Sequence, residues 1–172
     1  MYNFTLYSFK IKNHQVELVL PEVRHAEGAF EQLRKNHNQL SKYLKWVNSI
    51  DSVEKEQQSI KMFQQKMIEG TAFNLIILVD DQVAGMIDLH ELNQTSGEVG
   101  YWLASEFQHL GIMTKCVEFL VNYSLKQLKL SYLLLRTAQD NIASQHVAKR
   151  AGFQYVNDDE DGMKVFKMEK KQ

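Results

Sequence analysis

One cysteine, Cys116, stands in a chain of 172 residues. That excludes an intrachain disulfide and a zinc site built from several thiolates. The six histidines show no ligand spacing, so no metal is expected. There is one proline, Pro21, and the glycines are few and scattered. With no internal repeat, low-complexity tract or flexible linker, a single domain over 1–172 is expected. No apolar run approaches the ~20 residues that a bilayer-spanning helix needs. The opening Met1–Lys10 lacks a basic start followed by an apolar stretch. A cytoplasmic protein with no membrane partner is therefore expected. A net charge of −1 offers no basic excess to hold phosphates, so no direct nucleic-acid partner is expected either.

What is present is an ordinary globular composition, 44% hydrophobic and 24% charged, enough to bury a substantial core. Its periodicity is mixed. Val16, Leu18 and Leu20 alternate as in a strand. Pro21 suits the start of a helix over 22–35, and 41–47 reads as a second short helix. Asp51 with Glu54 resembles a capping box for a helix reaching about Glu69 and closed by Gly70. The period then changes to strands at 72–79, 83–92 and 98–103, joined by turn-rich loops. A long amphipathic helix over 112–129 follows, then a strand at 131–137 that is apolar on both faces and so belongs inside the sheet. A short helix over 141–151 and two strands, 153–156 and 164–168, around an acidic turn complete an α+β fold.

One stretch organises the rest. Gly97–Met113 runs from strand to loop to helix start, and Gly111 lies just before the helix. The first N–H groups of a helix lack internal partners and the dipole is positive there, which suits a pyrophosphate. Gln108-x-x-Gly111-x-Met113 is followed, after a helix and a strand, by Asn141, with Ser144, Gly152 and Phe153 at offsets of 3, 11 and 12 residues. In this order the motifs resemble the GCN5-related N-acetyltransferases, the GNAT superfamily, over about residues 10–170. Gly100-Tyr-Trp-Leu103 and Gly111-Ile-Met-Thr114 are similar to the branch holding the bacterial ribosomal-protein serine and alanine N-terminal acetyltransferases.

The resemblance implies a twisted, mostly antiparallel mixed sheet whose central strands splay, with an N-terminal helix pair, a long central helix and a short later helix. It implies acetyl-CoA as donor and a primary amine as acceptor, a protein N-terminus being favoured and a homodimer possible. A polyamine, aminoglycoside or amino-acid acceptor, or a CoA-binding sensor without turnover, are the alternatives. Carried over to this chain, the cofactor would lie against Trp102, Leu103 and Ala104 of the strand and Gln108, His109, Leu110, Gly111, Ile112, Met113 and Thr114 of the loop. Asn141 would meet the pantetheine amides, or cap its helix, or both. Two positions depart from the family pattern: Met113 stands where Gly or Ala is usual, and Ala148 where a tyrosine acid is common. Ser144 takes the place of a small residue, and in the resembling branch the matching serine is assigned to the leaving thiolate.

An amine must be neutral to attack, and Glu98 is the candidate base, with His90, Asp88 or a water chain as alternatives. Strand alternation sets Glu98, Gly100 and Trp102 on one face and Val99, Tyr101 and Leu103 on the other. A backbone N–H near Leu103 could stabilise the oxyanion. Tyr43, Trp46, Asn48, His90 and Trp102 are the candidate acceptor contacts. Cys116 reads as core, and the run Asp158–Asp161 as a solvated turn able to attract a basic substrate.

Overall fold

The computed structural model describes residues 3–170. Eight strands form one sheet: β1 (Thr5–Ile11), β2 (His14–Val19), β3 (Phe73–Val79), β4 (Gln82–His90), β5 (Ser96–Leu103), β6 (Tyr132–Thr137), β7 (Gln154–Asp158) and β8 (Lys164–Glu169). Their spatial order is β1-β2-β3-β4-β5-β6-β8-β7. Every neighbouring pair is antiparallel except β5 and β6, because a helix carries the chain back between them. The β3–β4 hairpin turns on Asp80 and Asp81, both at positive φ (48° and 66°), the two-residue turn whose twist matches the strands. Gly85 is obligatory on β4, since a Cβ there would lie 2.2 Å from the Trp102 carbonyl oxygen.

Helices cover both faces. On one, α4 (Ile112–Lys126) and α5 (Ile142–Arg150) pack over a core that includes Leu75, Ile87, Val99, Leu120, Leu133 and Phe166. On the other, α1 (Ala26–Lys35) and α3 (Val53–Glu69) lie together over Ile76, Leu78, Met86 and Trp102. β3 is buried on both sides for this reason.

The helical region before β3 departs from the expectations. The chain turns through a 3-10 segment, Val23–His25, before α1, because the His25 ring accepts from the Glu22 N–H at 3.1 Å. No helix spans 41–47. The four-residue α2 (His37–Leu40) ends before that stretch, a 3-10 turn, Lys45–Ser49, overlaps its end, and α3 is the second member of the helix pair. The α3 cap is Ser52, whose extended backbone lets its side chain accept from the Lys55 N–H; Asp51 pairs with the Lys55 ammonium at 2.7 Å instead. α4 ends three residues short of 129. β6 lies inside the sheet, but only its Leu133, Leu135 and Thr137 side is buried; Arg136 is exposed.

Candidate active site

The parallel pairing of β5 and β6 covers three residue pairs, Ser96 with Tyr132, Gly97 with Leu133 and Glu98 with Leu134. Beyond them both strands continue, β5 to Leu103 and β6 to Thr137, without pairing to each other. Each keeps its outer neighbour, β4 or β8. The result is a gap with an open strand edge on either side, to which an amide-bearing chain can bond like an added strand. The Ala104 N–H bonds to the Ala84 carbonyl across the β4 side, at 2.8 Å. Alternation therefore turns the polar groups of Leu103 the other way, into the gap. The Leu103 carbonyl accepts from Gln108 Nε2 at 2.8 Å, and its N–H is left facing the opening. At the open end of β6, Thr137 Oγ1 is buried with no hydrogen-bond partner.

The gap leads to the start of α4. Gly111 holds the left-handed backbone (φ 86°) that brings the chain round, and His109 adopts φ 59° just before it. The first intrahelical bond is from Lys115 N–H to the Gly111 carbonyl, so the N–H groups of Ile112, Met113 and Thr114 precede the helical ladder. The Met113 side chain is buried in the core under α4, away from that end. A long residue is therefore accommodated where the family pattern has a small one.

Side chains from α1, from α2 and from Asn36, which lies between them, hold this loop. Asn36 Oδ1 accepts from both the N–H and the hydroxyl of Ser105, at 2.9 and 2.7 Å. Gln32 donates to Glu106 at 3.1 Å, and Gln39 to Gln108 at 3.0 Å. None of these was singled out from sequence. The available signal was that Gln32 and Asn36 share the inward stripe of α1 with Ala29 and Leu33, and both are buried.

Two polar clusters flank β5, one on each face. On the α4–α5 side, Ser144 lies in the first turn of α5, where Asn141 caps the helix by accepting from the Ser144 N–H at 3.2 Å. Across the gap the Tyr101 hydroxyl is 2.9 Å from Ser144 Oγ and donates to the Ser144 carbonyl at 3.3 Å. Burial pushes the tyrosine pKa up to about 12, against the opposing hydrogen bond from Ser144. Alternation places Tyr101 on this face, but nothing in the sequence signalled its contact with Ser144. Ala148, one turn after Ser144, is fully buried.

On the α1–α3 side, both Glu98 carboxylate oxygens accept from Arg136 Nε at 3.0 Å, and His90 Nε2 lies 3.4 Å away. His90 Nδ1 is 2.8 Å from Asp88, and Arg136 also reaches Asp159 at 3.4 Å. The hydrogen bonds to Asp88 and Glu98 raise the His90 pKa to about 10. Burial pushes the Glu98 carboxyl up, but His90 and Arg136 outweigh it and hold it below the usual carboxylate range. At neutral pH the imidazole thus carries both protons and has no lone pair to accept another, while Glu98 is ionised and engaged. Gly100 leaves room beside this cluster: a Cβ there would meet Asp88 at 2.9 Å.

The remaining candidates separate. Trp102 is buried under the helix pair with its Nε1–H unpartnered. Tyr43 donates to the Asp140 carbonyl, 3.3 Å away, beside Asn141. Trp46 and Asn48 are exposed on the 3-10 turn, of which only Val47 is buried. In the acidic turn, Asp159 accepts from the Asp161 and Met163 N–H groups, and Asp158 pairs with Lys164. Cys116 is fully buried and burial raises its pKa, so it packs rather than reacts. Among the described residues no group of three His, Cys, Asp or Glu could hold a metal ion, and no helix is long and apolar enough to cross a membrane.

Residues 15–154 match the family described as "Acetyltransferase (GNAT) domain", a span that contains every candidate site residue. The chain belongs to the GNAT acetyltransferase family. Bacillus subtilis (strain 168) has a protein named "Putative ribosomal N-acetyltransferase YdaF", 28% identical over 93% of this chain and 88% of that protein. The ribosomal-protein-serine acetyltransferase of Escherichia coli (strain K12) is 24% identical over 90% of this chain and 92% of its own length. In fold, the chain matches RimL, a ribosomal L7/L12 α-N-protein acetyltransferase solved with coenzyme A, with a TM-score of 0.86 at 20% identity over 95% of this chain and 98% of that one. The protein is thus an acetyl-CoA-dependent N-acetyltransferase with the mixed-sheet GNAT fold. The open edges, the left-handed Gly111, the free N–H groups of the α4 terminus and the unpartnered Thr137 hydroxyl fit the amide-rich, anionic cofactor.

Proposed function

We propose that this GNAT enzyme acetylates the α-amine of a protein N-terminus, of the kind that ribosomal proteins present. The observation that carries the reading is the gap that opens between β5 and β6 beyond Glu98, with Ser144 on one side of the sheet and Glu98 on the other. The names of the relatives in Bacillus subtilis and Escherichia coli support the choice of acceptor.

Bound acetyl-CoA supplies an acetyl thioester already activated towards amines. His109 and the N–H groups of Leu110 to Thr114 would hold its pyrophosphate at the positive end of α4, while Gln108, engaged with Leu103 and Gln39, braces the loop. Trp102, Leu103, Ala104 and Asn141 line the course of the pantetheine arm. The Leu103 N–H, turned into the gap, donates to the acetyl carbonyl oxygen as charge grows there. The Ser144 hydroxyl donates to the departing sulfur. Glu98 receives the acceptor amine as an ammonium, with Tyr43, Trp46, Asn48 and His90 as its rim; Trp102, buried beneath the helix pair, supports this side from below. The amine proton leaves through water rather than to a side chain, because His90 is already protonated and Glu98 is a weak base. An α-amine with a pKa near ~8 needs little help to lose it.

The test is thiol release from acetyl-CoA with peptides beginning with Ser or Ala, set beside polyamines, aminoglycosides and free amino acids. Release with the peptides supports the reading. Turnover confined to small amines overturns the acceptor, and acetyl-CoA binding with no turnover on any amine makes the protein a sensor.

A further inference from the structure

We propose that Tyr101 is a positioning residue that aims the Ser144 hydroxyl into the gap; this rests on the thiolate role given above to Ser144. Two other serines inside helices show what such a hydroxyl does by default. Ser59 donates to the Lys55 carbonyl and Ser124 to the Leu120 carbonyl, each four residues back. A serine satisfied in that way has spent its only proton. Ser144 is in the first turn of α5, so the position four residues back, Asp140, lies outside the helix, and its carbonyl accepts from Tyr43. The partner Ser144 does have comes from the opposite wall: the Tyr101 hydroxyl, 2.9 Å from Oγ.

Tyr101 has one proton and two acceptors within reach, the hydroxyl and the carbonyl of Ser144. When it donates to Oγ, the serine proton is free to point away from both, into the opening. Charge growing on an acceptor in the gap favours that arrangement, because each hydroxyl then strengthens the next. The ring is fixed by its place on β5 and by packing against the core under α4 and α5. The serine backbone is fixed by the Asn141 cap. Two rigid walls therefore set one oxygen–oxygen distance. The fully buried Ala148 shows that α5 supplies no hydroxyl of its own one turn further on.

The experiment compares Tyr101→Phe, Ser144→Ala and the double variant with the unaltered enzyme. It uses kcat, KM for acetyl-CoA, and the affinities for CoA and desulfo-CoA at one fixed pH. Tyr101→Phe should lower kcat roughly tenfold, the scale of one hydrogen bond, with little change in KM. In the Ser144→Ala background it should have no further effect. The preference for CoA over desulfo-CoA, a binding measurement independent of turnover, should fall in both single variants, further in Ser144→Ala, and no further in the double variant. Desulfo-CoA affinity should hold steady, which also reports that the variants are folded. If Ser144→Ala slows the enzyme while Tyr101→Phe does not, or if the two losses simply multiply, the positioning role is overturned and the Ser144 role stands. If Ser144→Ala leaves kcat unchanged, the Ser144 role fails and the positioning role falls with it.

Discussion

Glu98 and Tyr101 are three residues apart on one strand, yet they meet different chemistry. Glu98 faces the helix pair and enters a cluster of ions: Arg136 on both oxygens, His90 beside it, Asp88 behind that. Tyr101 faces α5 and meets a single uncharged hydroxyl. The ionic side is locked, since its charges hold one another: hydrogen bonds to Asp88 and Glu98 raise the His90 pKa to about 10, and His90 and Arg136 hold the Glu98 carboxyl low. The neutral side has a proton that can be shared between two oxygens. In the proposed reaction, one strand would thus present a fixed electrostatic surface to the acceptor and a mobile proton to the leaving group, without mixing them.

The largest expected effect breaks the neutral side. Ser144→Ala should lower kcat by about 100-fold, as loss of a proton-donating group at the reacting centre typically does, and leave the acetyl-CoA dissociation constant close to its original value. A proportional loss in both would assign Ser144 to binding. Next comes the ionic side. Glu98→Gln keeps the shape but removes the charge that faces the ammonium, so KM for the peptide acceptor should rise about tenfold, the scale of one charge-assisted hydrogen bond. If kcat falls instead while KM holds, Glu98 is the base and the water route is wrong.

Much of this contrast was legible in the sequence, because both halves of it depend on local rules. Alternation along Glu98–Leu103 assigns Glu98 and Tyr101 to opposite faces, and Trp102 shares the Glu98 face, though it is buried beneath the helix pair rather than set against an acceptor. The offsets from Asn141 are properties of one short segment, and they identify the family. The partners were not legible. Tyr101 and Ser144 are 43 residues apart, and nothing local to either says that α5 lies within reach of β5. Arg136 meets Glu98 only because the two strands pair in parallel through Leu134. The segment at 41–47 failed for another reason. Tyr43, Leu44 and Val47 fall at helical spacing, but the tyrosine is drawn to Asp140 and the chain breaks into α2 and a 3-10 turn. At Asp51-Ser52 two good caps adjoin, and only the backbone angles at Ser52 decide between them.

A smaller effect is expected from the loop that both faces share. Asn36→Ala removes the acceptor of two Ser105 donors, so unfolding by denaturant should show a loss of about 1–3 kcal/mol. KM for acetyl-CoA should rise a few-fold, because the loop leading to Gly111 loses its tie to α1. An unaltered KM would mean that the loop keeps its shape without that tie.

The smallest effect tests whether the ionic side is locked at all. The folded-state pKa of His90, about 10, is above its ordinary value of 6.5. Its contribution to stability is therefore complete below pH 6.5, declines as pH rises from there, and is gone above about 10. The imidazole is 42% exposed, so solvent screens the interaction and the amplitude is small. Other groups titrate nearby: burial raises the Glu56 pKa to about 7, and that stabilising contribution is lost as pH rises from the ordinary carboxylate value through 7. The informative quantity is thus a difference. Asp88→Asn removes the first cause of the His90 shift while leaving Glu56 alone. Melting temperature followed from pH 6 to 10 should fall less steeply in this variant than in the unaltered protein. Parallel curves would mean that His90 does not keep its proton at neutral pH, and the ionic face would then hold a lone pair able to take the amine proton.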